Sequence, residues 1–454
     1  MHVAESRTRS IILDILMRVT KDDEKSNVAI RDALDKNMDL SKQERAFIHE
    51  AAEGTIRRLI ELDYIIGRFS TVPVEKMKPV IRNILRSAVY EIRYMDSVPD
   101  AAACDEAVKL TQLRGFYSLK GFVNGVLRAV VRGIADLPYP SEKNPMEYLS
   151  VRYSMPRWIV KLWADEFGLE TTEKMLDALL RKRPLTVRLP EDPDKRKEAL
   201  ESLAQQGVSA APSAYLPYAY DLSDVRLLPA LTAFRNGWIY PQDAGAMLVA
   251  EAAAPTPGDY VIDVCAAPGG KSLHIADKMR GYGMVEARDL TEDKIAKIRE
   301  NIQRCDTINV RAVQKDATVF DEASEGKADI VICDVPCSGL GVIARKPDIK
   351  YRASLENIEE LAQLQRDILV TASRYVKNGG TLIYSTCTVG HIENIDNVRY
   401  FLTRCKEFRA DPLDPFLPKE LARESLSEGY LSLLPGIDRT DGFFLARFKK
   451  EAAE

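Results

Sequence analysis

The chain has little of what builds a disulfide framework or a structural zinc site. It carries 7 Cys in 454 residues, an odd number, with no Cys-x-x-Cys pair, and only 4 His (His2, His49, His274, His391). No metal is therefore expected, and a reducing cytoplasm is the expected location. Long apolar runs are absent too. Nowhere do about 18 uncharged apolar residues follow one another, so no membrane span is expected. Charges interrupt the N-terminal stretch MHVAESRTRSIILDILMRV, and no apolar h-region or small-residue cleavage site follows, so no signal peptide is expected. Charge of one sign is also lacking: the formal net charge is −4. A globally basic nucleic-acid coat is excluded, a local basic face is not. There is no internal repeat at 20–50-residue spacing and no low-complexity tract.

What is present is ordinary globular composition, 46% hydrophobic and 29% charged. At roughly 150 residues per domain, the length predicts about three domains. Residues 1–137 read as helices only. Ile81, Ile84, Leu85, Ala88, Val89 and Ile92 repeat at helical spacing between Lys78 and Tyr94, and Lys78, Arg82 and Arg86 flank that stripe. From Ser118 to Arg132, Phe122, Val123, Val126, Leu127 and Val130 make a second stripe with Arg128 and Arg132 beside it. Residues 1–134 hold 22 Lys+Arg against 19 Asp+Glu, so the basic bias is local to this part. A solvated helix face is the bland reading of these lines, RNA phosphate contact the functional one.

Leu137-Pro-Tyr-Pro opens a Pro-rich break. Residues 138–240 then read as a linker and a small α+β module. It has helical patterns at about 156–167, 171–182 and 192–206, and a strand at Leu185–Leu189. From 241 to 450, short apolar strands bounded by turn residues alternate with helices. That texture predicts a parallel, doubly wound α/β sheet of Rossmann-like type.

Three motifs sit at exits of those strands. The first, Asp263-Val-Cys-Ala-Ala-Pro-Gly-Gly-Lys271, is a glycine turn opening a helix, where an open α/β sheet binds a nucleotide-like ligand. Neither GxGxxG nor GxxxxGK[ST] is present, which disfavours a pyrophosphate. Asp289 and Asp316 close the next two strands. Acids at successive strand ends suit a nucleoside without phosphates, and S-adenosylmethionine is the expected cofactor. As helix caps the same acids would be unremarkable. The second motif is Cys333-Asp-Val-Pro-Cys-Ser-Gly339, the third Tyr384-Ser-Thr-Cys387. Cys104, Cys265, Cys305, Cys333 and Cys405 read as small apolar side chains. Cys337 and Cys387 stand outside strands, among polar and turn residues.

Two thiols suit one chemistry. Carbon 5 of cytosine is a poor nucleophile, and a thiolate adding to C6 makes it enamine-like. A second polar group near C5 can then assist loss of the proton and the thiol. Asp334 is placed to hydrogen-bond N3 or N4 and take up developing charge, and Lys271 is the cation to lower a thiol pKa.

CAAPGGK, DVPCSGLGVIARKPD, YSTC with Glu393-Asn394 beyond it, and Asp441-Gly-Phe-Phe resemble the RNA cytosine-C5 methyltransferases of the RsmB/NSUN superfamily. SKQERAFIHEAAEGTIRR, AVYEIRYMDSVP, DEAVKLTQ and GFVNGVLRAVVR resemble the NusB-like helical domain. The resemblance covers nearly the whole chain. It implies a monomer that methylates small-subunit rRNA. It makes Cys387 the nucleophile and Cys337 the group that assists release. It assigns cofactor binding to Cys265, Ala266, Ala267, Pro268, Gly269, Gly270, Lys271, Asp289, Asp316 and Asp334. RNA contact in the middle module falls to Arg188, in Arg188-Leu189-Pro190 where the family often has Arg-Val-Asn. His391-Ile392-Glu393-Asn394 stands where the family has Pro-Glu-Glu-Asn, and His391 is not read as catalytic. The alternatives are another RNA substrate (tRNA or large-subunit rRNA), a DNA cytosine methyltransferase, which would leave Cys387 unexplained, or a non-catalytic NusB-like RNA-binding factor.

Overall fold

The computed structural model describes residues 2–452, with side chains from residue 6 onward. The chain forms two compact units, one of residues 1–180 with 343–352, the other of residues 181–342 with 353–454. The break expected near residue 137 therefore lies inside the first unit.

The first unit is helical throughout. The stripe expected around Ile84 forms the helix Pro79–Tyr94, with Pro79 in its first turn, where a missing N–H costs nothing. The second expected stripe forms Lys120–Gly133. Ile81, Leu85, Val89, Val123, Leu127 and Val130 share one buried core. Ser41 and Glu44 close a reciprocal capping box at the helix Lys42–Arg57. Segment 343–352, which follows the Pro336-Cys337 motif in sequence, also belongs here. Lys350 is 1% exposed and donates from Nζ to the Arg57 carbonyl at 2.8 Å. Burial, then the nearby Arg57, pushes its pKa well below the usual lysine value.

The second unit holds two sheets. The small one runs β2-β3-β1-β4 and is antiparallel at every pairing. Its strands are β1 (Leu185–Arg188), β2 (Ser209–Pro212), β3 (Ala219–Ser223) and β4 (Tyr240–Pro241). The helix Pro193–Gln205, capped by Asp192, packs Ala199 and Leu203 against it. The large sheet uses β5 (Tyr260–Asp263), β6 (Met284–Asp289), β7 (Val310–Gln314), β8 (Ala328–Asp334), β9 (Val376–Thr386), β10 (Phe408–Ala410), β11 (Tyr430–Leu433) and β12 (Phe443–Lys450). Its order is β10-β12-β9-β8-β5-β6-β7, with β11 on β12. The central strands β7-β6-β5-β8-β9 are parallel, as their continuous apolar runs require, and β12 joins antiparallel to β9. The order reverses between β5 and β8, which makes the crevice at their C-terminal ends the expected ligand edge.

Candidate active site

Asp263, Asp289 and Asp334 are the last residues of β5, β6 and β8, and Cys387 follows the last residue of β9. Parallel pairing thus delivers the motif residues to one edge. After β5 the chain turns into the helix Gly270–Lys278. Gly269 has φ +107°, a left-handed value that favours glycine, and a Cβ at Gly270 would come within 2.9 Å of the Tyr240 ring. Asp263 is fully buried. Its Oδ2 accepts from Ser272 Oγ at 2.6 Å, and its Oδ1 has no partner among the described residues. Burial pushes this carboxyl up to about 7; the Ser272 hydrogen bond opposes that, and the charge of Asp334 adds to it.

Asp289 is also buried. Its Oδ2 accepts from the Ala267 N–H at 2.9 Å, its Oδ1 from the Leu290 N–H at 2.7 Å and from Lys294 Nζ at 2.8 Å. Asp316 lies two residues past β7 and is exposed, and its Oδ1 accepts from Thr318 N–H at 2.8 Å and Thr318 Oγ1 at 2.7 Å. The hydrogen bonds from Thr318 hold its pKa below the usual carboxylate value.

Asp334 and Ser385 are register partners on β8 and β9. Asp334 Oδ1 accepts from Ser385 Oγ at 2.7 Å and Oδ2 from Lys271 Nζ at 2.7 Å. Burial alone would lower the Lys271 pKa, but Asp334 first, then Asp263 and Cys387, hold it above the usual value. Cys337 Sγ lies 3.1 Å from Cys387 Sγ and accepts from the Cys387 N–H at 3.3 Å; both side chains are half-buried, and the two are not joined in a disulfide. The side-chain contact with Cys387 Sγ, then burial, pushes the Cys337 thiol well above its usual pKa, against the Cys387 N–H, which lowers it. Gly341 N–H donates to the Cys387 carbonyl at 3.1 Å, and Gly442 N–H to the Gly341 carbonyl at 2.9 Å. That close approach brings the Asp441-Gly-Phe-Phe motif to the same edge.

The family model for the 16S rRNA methyltransferase RsmB/F matches residues 250–449. The NusB family matches 6–132, and the ferredoxin-like domain of RsmF/B-like methyltransferases matches 155–225. A probable ribosomal RNA small subunit methyltransferase B of Bacillus subtilis is 35% identical across 98% of this chain and 99% of its own. The chain belongs to the small subunit rRNA methyltransferase B family. Another member of this family, from Escherichia coli, is 30% identical over 91% of this chain and 92% of its own length. Among solved structures, PH0851 superposes with a TM-score of 0.81 at 26% identity, covering 98% of this chain and 99% of that one. NSun6 from Pyrococcus horikoshii shares the fold over 66% of this chain and 99% of its own, at TM-score 0.56 and 22% identity.

Within this family member, Cys265–Lys271, Asp289, Asp334, Cys337 and Cys387 come together at the sheet edge, and Asp316 stands further out. The basic residues divide. Lys78, Arg128 and Arg132 are exposed. Arg82 is half-buried, with its Nε unpartnered, and burial lowers its pKa. Arg86 does not lie on that open face. It is 7% exposed, and its Nε donates to Asp63 Oδ1 at 2.7 Å. Arg188 is likewise buried and paired with Asp277. A buried guanidinium already paired with a carboxylate offers little to a phosphate, so both are reassigned to ion pairs within the protein, each with a partly exposed carboxylate.

A cavity of about 1410 Å³ in the second unit is lined by Arg188, Glu191, Glu251, Lys278 and Arg280, among others, and by none of the edge residues above. Glu191, Glu251 and His274 cluster there, with Lys278 Nζ at 2.9 and 2.8 Å from the two carboxylates as their cation.

Sequence reasoning missed Ser385, Ser338 and Gln365. Gln365 had a legible signal. Ile358, Ala362, Gln365, Leu369 and Ala372 repeat at helical spacing in Leu355–Ser373, so a lone amide interrupts an apolar stripe.

Proposed function

We propose that this protein transfers a methyl group from S-adenosylmethionine to C5 of a cytosine in small-subunit rRNA, through a covalent adduct between Cys387 and C6. The observation that carries this reading is the contact of the two thiols, 3.1 Å apart, beside the Lys271–Asp334 ion pair. One thiol is enough for addition; a second in contact with it has a use when the adduct must also be broken.

The cofactor's fit rests on the β5 exit. Gly269, with its left-handed φ, turns the chain from the C-terminal end of β5 into the helix Gly270–Lys278, and the Asp289 carboxylate ends the neighbouring parallel strand. Residues 265–271 with Asp263 and Asp289 would hold it, and Asp316 would reach it only from the periphery. When bound, the cofactor supplies an electrophilic methyl group. The chain's own residues do the rest. Cys387 loses its proton to solvent and adds as the thiolate to C6, and the electron pair displaced from the C5–C6 double bond gives C5 carbanion character. Asp334, its charge held by Lys271 and Ser385, accepts from the N4 amine and orients the base over the thiol. Lys271 offsets thiolate charge at Cys387. Water takes the C5 proton, the C6–S bond breaks with its electron pair on Cys387, and Cys337, kept as the neutral thiol by its raised pKa, donates a hydrogen bond to the departing sulfur. Phosphates of the rRNA are met by the exposed Lys78, Arg128 and Arg132.

One denaturing gel tests this. Cys337→Ala should accumulate a protein–RNA adduct that requires Cys387, and the double variant should form none. An adduct from Cys387→Ala instead would reverse the two roles. Bisulfite mapping of small-subunit rRNA from a deletion strain should show one cytosine losing its methyl group.

A further inference from the structure

Cys337 sits on a loop, not in a strand, so something must hold its thiol against that of Cys387. Both peptide groups flanking it are clamped. The Pro336 carbonyl accepts from Gln365 Nε2 at 2.9 Å, and the Ser338 N–H donates to Glu393 Oε1 at 2.9 Å. Gln365 Nε2 also donates to Glu393 Oε1, at 2.8 Å. The other carboxylate oxygen accepts from Ser338 Oγ, which lies 2.7 Å from Thr388 Oγ1 in the Cys387 loop. The backbone at residue 393 is itself anchored, because its carbonyl accepts from Asn397 Nδ2 at 3.1 Å and from the Tyr384 hydroxyl. Glu393 is 2% exposed, and no cation pairs with it among the described residues. A buried carboxylate without a cation is costly unless hydrogen bonds satisfy it. Here the donors come from the Cys337 loop and from Gln365.

We infer that Glu393 is a positioning residue for Cys337: its carboxylate locks the loop that carries the releasing thiol against the loop that carries the nucleophile. This rests on the division of labour proposed above. Losing the clamp lets Cys337 drift while Cys387, the methyl-donor site and the Lys271–Asp334 pair stay in place. Addition and methylation continue, and release slows.

The test compares Glu393→Ala, Glu393→Gln and Cys337→Ala in the full-length protein with substrate rRNA and S-adenosylmethionine. A misplacement near 1 Å costs roughly a hundredfold in rate. Glu393→Ala should therefore trap at least about tenfold more denaturation-resistant adduct than wild type, with cofactor affinity within about threefold. Glu393→Gln should restore release, since its oxygen can keep the Ser338 and Gln365 donors while its amide donates to Ser338 Oγ. Wild-type adduct levels in Glu393→Ala, with Cys337→Ala trapping, overturn the inference. So does trapping by Glu393→Gln equal to that of Glu393→Ala, or loss of cofactor affinity in both Glu393 variants. A second measurement does not depend on release. Diamide oxidises the two thiols to a disulfide and is itself reduced to the hydrazine. Cys337–Cys387 cross-linking should slow at least about tenfold in Glu393→Ala, and an unchanged rate overturns the clamp. If Cys337→Ala traps nothing, the division of labour fails and the cross-linking rate alone decides the role of Glu393.

Discussion

The sheet edge and the basic line on the helices invite comparison, because both are rows of charged or polar residues at regular spacing. At the edge, each strand ends where its apolar run ends, and parallel pairing forces the residue beyond onto one side. Asp263, Asp289, Asp334 and Cys387 had nowhere else to go. On the helix Pro79–Tyr94, spacing aligns Lys78, Arg82 and Arg86 along one side of the apolar stripe but says nothing about how far the packed neighbours reach. Lys78 is exposed at the N-cap, whereas Arg86 is covered and held by Asp63. Strand-exit position is thus a stronger guide to function than charge periodicity along a helix.

The largest effect that could break the comparison is at Cys387. Cys387→Ala should lower methyl transfer by at least about three orders of magnitude, roughly 4 kcal/mol of barrier, with cofactor affinity nearly unchanged. Turnover within tenfold of wild type would remove the edge's claim to the chemistry. Next is Asp263. Its folded pKa of about 7 exceeds the 3.8 of a free carboxyl, so the native state binds the extra proton between those values. Stability should therefore fall as pH rises through that window, by on the order of 4 kcal/mol at most. Urea titrations of the cofactor-free protein at pH 5 and pH 8 should show wild type losing ground to Asp263→Asn as pH rises. A pH-independent difference would mean that Asp263 ionises freely.

Asp289→Ala should weaken cofactor binding by about 1.5–3 kcal/mol in calorimetry, with RNA affinity unchanged. If only stability changes, Asp289 serves the Ala267 and Leu290 amides and nothing more. Arg86→Ala should cost about 1–3 kcal/mol of stability through the orphaned Asp63, discounted for that side chain's partial exposure. It should leave the salt dependence of RNA binding alone. Lys78→Ala should do the reverse, with little stability loss and a salt slope flatter by about 0.7–0.9. A flatter slope in Arg86→Ala would put that residue back among the phosphate contacts.

The elements themselves were largely legible in the sequence. The helix expected at 192–206 forms as Pro193–Gln205, and β5, β6 and β8 end at the acids that close their apolar runs, while β9 starts earlier than its apolar run and carries Asn378-Gly379-Gly380 within it. The domain with the Pro-rich break was harder. Leu137-Pro-Tyr-Pro does interrupt helix, yet residues 138–180 pack into the helical unit, joined by 343–352 from far along the chain. Composition marks a break in secondary structure and is silent on which core the next apolar stripe will join. The cysteine pair was readable as two residues outside strands, but their mutual contact was not, because 50 residues separate them and no local rule relates β8 to β9.

By itself the sequence determined the periodicities, the glycine turn after β5, the acids and thiols at strand exits, and the family to which the chain belongs, since all of these are local in the chain or shared residue by residue with relatives. Only the tertiary structure decided which charges are free and which are spent. Arg86 and Arg188 became internal ion pairs, Asp263 a carboxyl pushed up to about 7, and Glu393 the acceptor that ties one thiol loop to the other. The reason is physical. Burial and hydrogen-bond partnership are set by residues tens to hundreds of positions away, and the free energy of a charge depends on those neighbours far more than on the residues beside it in the chain.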